Sequence, residues 1–211
     1  GPEFRLATIM GFTPSQLIVK AILTGKPSPI RLMYIQGGNP LLSYANSRET
    51  FEALKRLDFL TVSEIFLTPT AQLADLVLPA ATHFEFDAIG HSGLPHGFIL
   101  PRPKIVEPLG ECWSDSKILN ELGKHLGYGQ YFWKNMNECL DEILKPAGMT
   151  YDDFKAIGIL KGKWEYKSYE KKGFNTPSEK VEIYSQQLTE WGYDPLPTYH
   201  ELPESPSMTP E

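Results

Sequence analysis

Apolar residues in this chain gather into short runs that end at glycine, proline or acidic breaks, and three of these runs predict strands. Residues 32–35 form the first and stop at Gly37-Gly38-Asn39-Pro40. Residues 59–62 form the second and stop at Ser63-Glu64. The third, residues 76–78, follows Asp75 and ends at Pro79. Between the first two, Asn46 and Glu49 predict the start of a helix whose Phe51, Leu54 and Leu57 recur at near-helical spacing. Residues 32–62 therefore read as a β-α-β unit, parallel and right-handed. A helix precedes it: Thr13-Pro14-Ser15-Gln16 has the form of a capping box with proline at the first helical position. Leu17, Ile18, Ala21 and Ile22 share one face of that helix, and Gly25 with Pro27 ends it.

Beyond Glu85 the pattern changes. Residues 87–103 are rich in glycine and proline and read as an extended surface loop that carries His91 and His96. Ser114 then predicts the cap of a helix bearing Ile118, Leu119, Leu122 and Leu126 and ended by Gly127. A second helix runs from about Met136 to Leu144, and Thr150 with Asp153 opens a third that carries Phe154 and Ile157. Tyr128, Tyr131, Phe132 and Trp133 read more simply as cover for the core beneath these helices than as a partner-binding patch. Residues 164–174 predict a small hairpin that turns at the lysines, residues 181–184 an edge strand and residues 188–191 a last turn. The proline-rich tail from Asp194 reads as a linker.

Composition narrows the class. With 211 residues, 41% of them hydrophobic, the chain can bury a sizeable core in one or two domains. A formal charge of −6 argues against a nucleic-acid or polybasic membrane surface. The apolar runs are too short to cross a bilayer, and two cysteines make no disulfide framework.

Candidate chemistry sits at the strand ends. A nucleotide needs backbone N–H groups for phosphate, an acid for ribose hydroxyls and a group that reads the base. Gly37 and Gly38 let the main chain approach, and Asn39 offers both a donor and an acceptor. Glu64 stands where a ribose-binding carboxylate is expected, with a solvated strand-end acid as its plain alternative. Ser63, Thr68 and Thr70 add hydroxyls, although Thr68 before Pro69 also reads as a helix cap. Asp75 can accept two parallel hydrogen bonds from guanine, and a turn aspartate is the alternative. Arg48 reads as an exposed helix arginine more readily than as a phosphate ligand. His83 and Glu85 point the same way in an extended segment, but no third ligand joins them by spacing, so a metal reading is weak.

These residues carry a resemblance. The run GKPSPIRLMYIQGGNPL, the Ser63-Glu64 strand end, Thr68 and Thr70, the segment at residues 74–79 and Glu85 together resemble the large-subunit molybdopterin oxidoreductases. Enzymes of that family, typified by dimethyl sulfoxide reductases and formate dehydrogenases, hold molybdenum or tungsten between two molybdopterin guanine dinucleotides. Glu107-Pro108-Leu109-Gly110-Glu111 with Ser114-Asp115, and Thr176-Pro177-Ser178-Glu179-Lys180-Val181-Glu182, are similar to two further family elements. The chain departs from the family where the commoner E-G-T is replaced by Glu85-Phe86-Asp87.

The resemblance implies an α/β fold, a Rossmann-like parallel sheet with a helical and β-hairpin extension. It implies cofactor contacts at Gly37, Gly38, Asn39, Ser63, Glu64, Thr68 and Asp75, with no catalytic or metal-binding residue. Only Cys112 and Cys139 are present, whereas an iron–sulfur cluster needs about four thiolates. The expectation is thus an internal fragment of a longer anaerobic enzyme, inactive and without cofactor on its own. Residues 1–4 read as a cloning scar, residues 5–108 as the cofactor-binding segment, residues 109–193 as the extension and residues 194–211 as linker. Partners would be the remaining domains of the parent enzyme and an iron–sulfur electron-transfer subunit, in a prokaryotic cytoplasm or periplasm. The alternative is an autonomous nucleotide-binding or protein-interaction module without redox chemistry. An NAD domain ranks below both because no GxGxxG follows a strand.

Overall fold

A computed structural model of the protein describes residues 13–90, 97–162, 165–196, 198–202, 205 and 207–208. The chain divides into two compact units, with the boundary between Lys163 and Trp164.

In the larger unit the three expected strands form one parallel sheet in the order β1-β2-β3. Strand β1 is Leu32–Gln36, β2 is Phe59–Glu64 and β3 is Leu76–Pro79. The register pairs Ile35 with Val62 and Val62 with Val77. Helix α1, Ser15–Thr24, begins one residue later than the sequence suggests. Pro14 takes the cap position, where it has no side-chain acceptor to give, so the expected capping box does not form. A short helix α2, Pro40–Ser43, follows the glycine loop, and α3, Ser47–Leu54, leads into β2. The Asn46 side chain caps α3 by accepting from the Glu49 N–H at 3.2 Å, as its sequence signal predicts. Another short helix, α4, Pro69–Gln72, connects β2 to β3. Ile35, Leu54, Leu60, Val62 and Ala71 interlock between the sheet and these helices to make the first core.

A second core lies under a small antiparallel sheet. Strand β4, Ala88–Gly90, pairs with β5, Phe98–Arg102, which also pairs with β6, Leu160–Lys161. A surface loop was expected across this stretch. The Pro101 in β5 lacks an N–H donor yet sits opposite Ile89 in the ladder, so the residue that argued against a strand is accommodated within one. His91 and His96 lie outside the described residues. Helix α5, Asp115–Gly123, is capped by Ser114 and passes into a wider turn that closes at Gly127, whose backbone is left-handed. Helices α6, Met136–Leu144, and α7, Tyr151–Ile157, complete the unit, with a full capping box between Thr150 and Asp153. Leu140, Leu144, Tyr151 and Phe154 pack against Ile89, Ile99 and Leu160. The half-buried Phe132 ring closes on Gly123, and the Trp133 main-chain N–H donates to Asn120 Oδ1, whereas Tyr128 and Tyr131 are exposed.

The smaller unit differs most from expectation. Its described residues hold no strand: a short helix α8, Tyr169–Lys172, stands where a hairpin was predicted, and the Tyr169 and Phe174 rings stack at 5.1 Å. Residues 181–184 are not a strand either; Val181 and Ile183 are exposed, and an edge strand needs a neighbour to bond to. The final helix α9, Gln186–Glu190, is capped by Ser185. Among the described residues, no helix is long and apolar enough to cross a membrane.

Candidate functional site

Parallel strands bring every strand-following residue to one end of a sheet, and here that carboxyl edge gathers the glycine loop, Asn39 and Glu64. The ladder continues past the strands: Gly37 N–H donates to Ser63 O at 2.9 Å, and Ala80 N–H donates to Glu64 O at 3.1 Å. Making that bond while turning away from the sheet requires Gly37 to adopt φ 56°, a left-handed backbone that disfavours any side chain. The two N–H groups that follow, on Gly38 and Asn39, meet no acceptor among the described residues. Asn39 begins α2 with its main-chain oxygen, which accepts from Leu42 and Ser43. Its side chain does not cap; Oδ1 instead accepts from the Thr70 hydroxyl at 2.7 Å.

Glu64 is half-buried at the end of β2, and its Oε1 accepts from the Ile65 N–H at 2.8 Å, which leaves Oε2 for a further donor. The neighbouring hydroxyls face inward. Ser63, fully buried, donates to Asp115 Oδ1 at 2.6 Å and so ties the sheet to the first turn of α5. Thr68 caps α4 by accepting from Ala71 N–H at 3.2 Å. Both were read as cofactor contacts; the Ser63 proton is used within the fold, whereas Thr68 accepts one bond there and keeps its own proton to donate.

Asp75 stands apart from the others. It precedes β3, so the parallel sheet puts it at the amino edge, where Oδ2 accepts from Leu60 N–H at 2.7 Å and its own N–H donates to Leu60 O. Strand β3 has four residues, which at about 3.3 Å each sets Asp75 roughly 13 Å from the carboxyl edge. The expected guanine contact at the glycine loop therefore does not follow from this placement, which favours the turn-aspartate alternative.

Glu85 organises the return of the chain beneath β3. Its carboxylate accepts from Thr82 N–H at 2.6 Å, Thr82 hydroxyl at 2.9 Å and Leu109 N–H at 2.9 Å. The two Thr82 bonds, then the Leu109 amide, hold its pKa below the usual carboxylate range, and partial desolvation opposes them. The same stretch carries a parallel bridge between Ala80 and Trp113, which adds a short fourth rung to the sheet. A groove of about 510 Å³ opens beside it, lined by Val77, Pro79, Glu111 and Trp113, with Lys117 Nζ 3.9 Å from the indole centroid. The His83 and Phe84 rings lie 4.0 Å apart, tilted by 41°, in an exposed position, and no cluster of metal-ligating side chains occurs among the described residues. Thr70 and Asp115 are the residues whose roles the sequence underplays. Each appears beside a noticed motif, but their bonds to Asn39 and Ser63 span 31 and 52 positions of sequence.

A donor set of two free backbone N–H groups and an amide, next to a carboxylate with one free oxygen, suits a phosphate followed by a ribose diol. Comparison with known proteins bears on which ligand that is. A family model described as molybdopterin oxidoreductase matches residues 4–125. Acetylene hydratase of Syntrophotalea acetylenica is 34% identical over 195 residues, covering 90% of this chain and 26% of the relative. The alpha subunit of the F420-dependent formate dehydrogenase of Methanocaldococcus jannaschii is 38% identical over 150 residues, covering 69% of this chain and 22% of the relative. A solved structure of acetylene hydratase from Pelobacter acetylenicus superposes with a TM-score of 0.85 at 32% identity, over 95% of this chain and 28% of that one. The chain thus spans about a quarter of the length of these relatives.

Proposed function

The chain belongs to the molybdopterin oxidoreductase family, and we propose that the carboxyl edge of its parallel sheet binds the phosphate and ribose of a molybdopterin guanine dinucleotide. The observation that carries the reading is the pair of free N–H groups on Gly38 and Asn39, beside a left-handed Gly37 and across from Glu64. The donor set fits that group: the N–H pair and the Asn39 amide would take a phosphate, and the Glu64 carboxylate would take ribose hydroxyls. When bound, the cofactor supplies the molybdenum or tungsten centre at which the parent enzyme's reaction takes place. This chain's residues would bind and orient one nucleotide arm, and no cluster of metal-ligating side chains occurs among the described ones.

The relatives' names differ in reaction, a hydratase in one case and a formate dehydrogenase in another. A segment shared by both is more economically tied to the common cofactor than to either substrate. The same logic makes the rest of a longer enzyme, and an iron–sulfur electron-transfer subunit, the proposed partners. The described chain alone is expected to be inactive.

Titration of isotopically labelled protein with GMP, AMP and inorganic phosphate, followed by NMR, tests the proposal. GMP is expected to shift Gly38, Asn39 and Glu64 with a dissociation constant on the order of 1 mM, about −4 kcal/mol, because only one side of the binding cage is present. Phosphate alone should shift Gly38 and Asn39 more weakly and leave Glu64 in place. Shifts spread evenly over the surface would defeat the reading.

A further inference from the structure

We propose that Thr70 is a positioning residue that sets which face of the Asn39 amide is turned to a phosphate at the carboxyl edge, an inference that rests on the nucleotide reading above. Thr70 has no exposed surface, which is unusual for a threonine next to a helix cap. Its single hydroxyl oxygen meets two partners: Leu41 N–H at 3.2 Å and Asn39 Oδ1 at 2.7 Å.

The surroundings of the hydroxyl set the direction of both bonds. Leu41 brings its own proton, so the hydroxyl accepts there. The hydroxyl's own proton, in a buried position, has Asn39 Oδ1 as its acceptor and no other among the described residues, so it donates to the amide oxygen. The amide therefore shows its carbonyl oxygen to Thr70 and turns both Nδ2 protons the other way. A phosphate is an acceptor only, so it would bind the Nδ2 face and be repelled by the Oδ1 face. Without the hydroxyl the amide can rotate by half a turn at little cost, because its nitrogen and oxygen are nearly the same shape. Thr70 would thus keep Asn39 in the orientation that an anion needs, while touching no ligand itself. The same hydroxyl satisfies Leu41 N–H in the first turn of α2, so one buried group fixes both the loop and the side chain that leaves it.

The test compares Thr70→Val, which keeps the shape and removes the hydroxyl, with Thr70→Ser, which keeps the hydroxyl. In the ligand-free protein, 15N relaxation of the Asn39 side-chain amide reads how firmly its orientation is held. It is expected to be ordered in wild type and in Thr70→Ser, and mobile in Thr70→Val. Equal order in all three overturns the proposal whether or not nucleotide binds. With GMP added, Thr70→Val should bind about tenfold more weakly and lose the Asn39 side-chain shift, while Thr70→Ser stays near wild type. A Thr70→Val protein that keeps the backbone spectrum of the sheet and binds GMP as wild type does also overturns it. If wild type itself shows no shift at Gly38 and Asn39, the nucleotide reading fails, and the relaxation result still decides whether Thr70 orients the amide. Should Thr70→Val not fold, order of the Asn39 amide in wild type and Thr70→Ser decides: a mobile amide in both overturns the proposal, and an ordered one supports it.

Discussion

The glycine loop permits a paired experiment, because its two glycines are required for different reasons. Gly37 has φ 56° and open space around a built Cβ, so Gly37→Ala adds strain without collision. A left-handed non-glycine residue costs roughly 1–2 kcal/mol. In a domain of this size that corresponds to a fall in Tm of about 2–8 °C. Gly38 is the reverse. Its backbone needs no positive φ, and a Cβ there meets Ile35 Cγ2 at 3.4 Å and Gln36 O at 3.8 Å, both ordinary contact distances. Gly38→Ala should therefore unfold within about 2 °C of wild type, which corresponds to the ~0.5 kcal/mol usual for changes that break no special feature. Its methyl, however, would project where a phosphate approaches the Gly38 and Asn39 N–H groups, so GMP shifts at those amides should weaken. Thermal unfolding by circular dichroism and the GMP titration read the two effects separately. A Gly37→Ala protein as stable as wild type would refute the strain argument. A Gly38→Ala protein that binds GMP unchanged would refute the placement of the phosphate.

Three other outcomes follow from the geometry. Phe154 has no exposed surface and fills the second core, so Phe154→Ala should cost about 3–5 kcal/mol, read as a shift of the urea midpoint at unchanged slope; a loss below 1 kcal/mol would mean that the core is not packed as described. Glu85 has its pKa lowered in the fold from an ordinary 4.5. The stability it contributes is therefore complete above that value and is lost as pH falls through the folded value, and Glu85→Gln should flatten this part of the acid unfolding profile. An unchanged acid slope in Glu85→Gln would contradict the three hydrogen bonds to its carboxylate. Asp75→Asn should lower stability by about 1–2 kcal/mol through its bond to Leu60 N–H, and leave the ratio of GMP to AMP binding as it is in wild type, measured by the same NMR titration. A changed ratio would put the base near the amino edge after all.

Local signals in the sequence are strong where one side chain and one turn decide the outcome. Asn46, Ser114 and Thr150 each cap a helix at the position their spacing predicts, because the acceptor and the amide it serves are three residues apart. The strand ends at Gly37 and Glu64 were legible for a similar reason, since apolar runs that stop at glycine or acid mark where a strand leaves the sheet. Asp75 shows what order along the chain adds to composition: it precedes β3, and in a parallel sheet a residue before a strand sits at the opposite end from one after it, where its carboxylate bonds Leu60 N–H. The Phe98–Arg102 strand was hidden by Pro101, which local rules penalise and the ladder tolerates. Residues 164–174 alternate aromatic and charged residues as a hairpin would, yet Lys167 and Glu170 pair at a spacing of three and a helical turn forms instead. For Glu85 only part of the role was local: Thr82, three residues before it, supplies two of its donors, whereas the third, the Leu109 main-chain amide, is 24 residues away and left no local signal.

The continuation of the ladder past β1 and β3 has a consequence for solvent exchange. The Gly37 and Ala80 amides are tied into the sheet, so their protons exchange with deuterium only when the strands part and should be as slow as those of the core. The next amides along, Gly38 and Asn39, have no such bond and should exchange at rates set by their local exposure. One peptide unit thus separates the slowest class of protons from the fastest. Because the sheet itself need not open for these two to be protected, any slowing at Gly38 and Asn39 reports occupation of the edge and nothing else, and the loop becomes a built-in gauge of what is bound there.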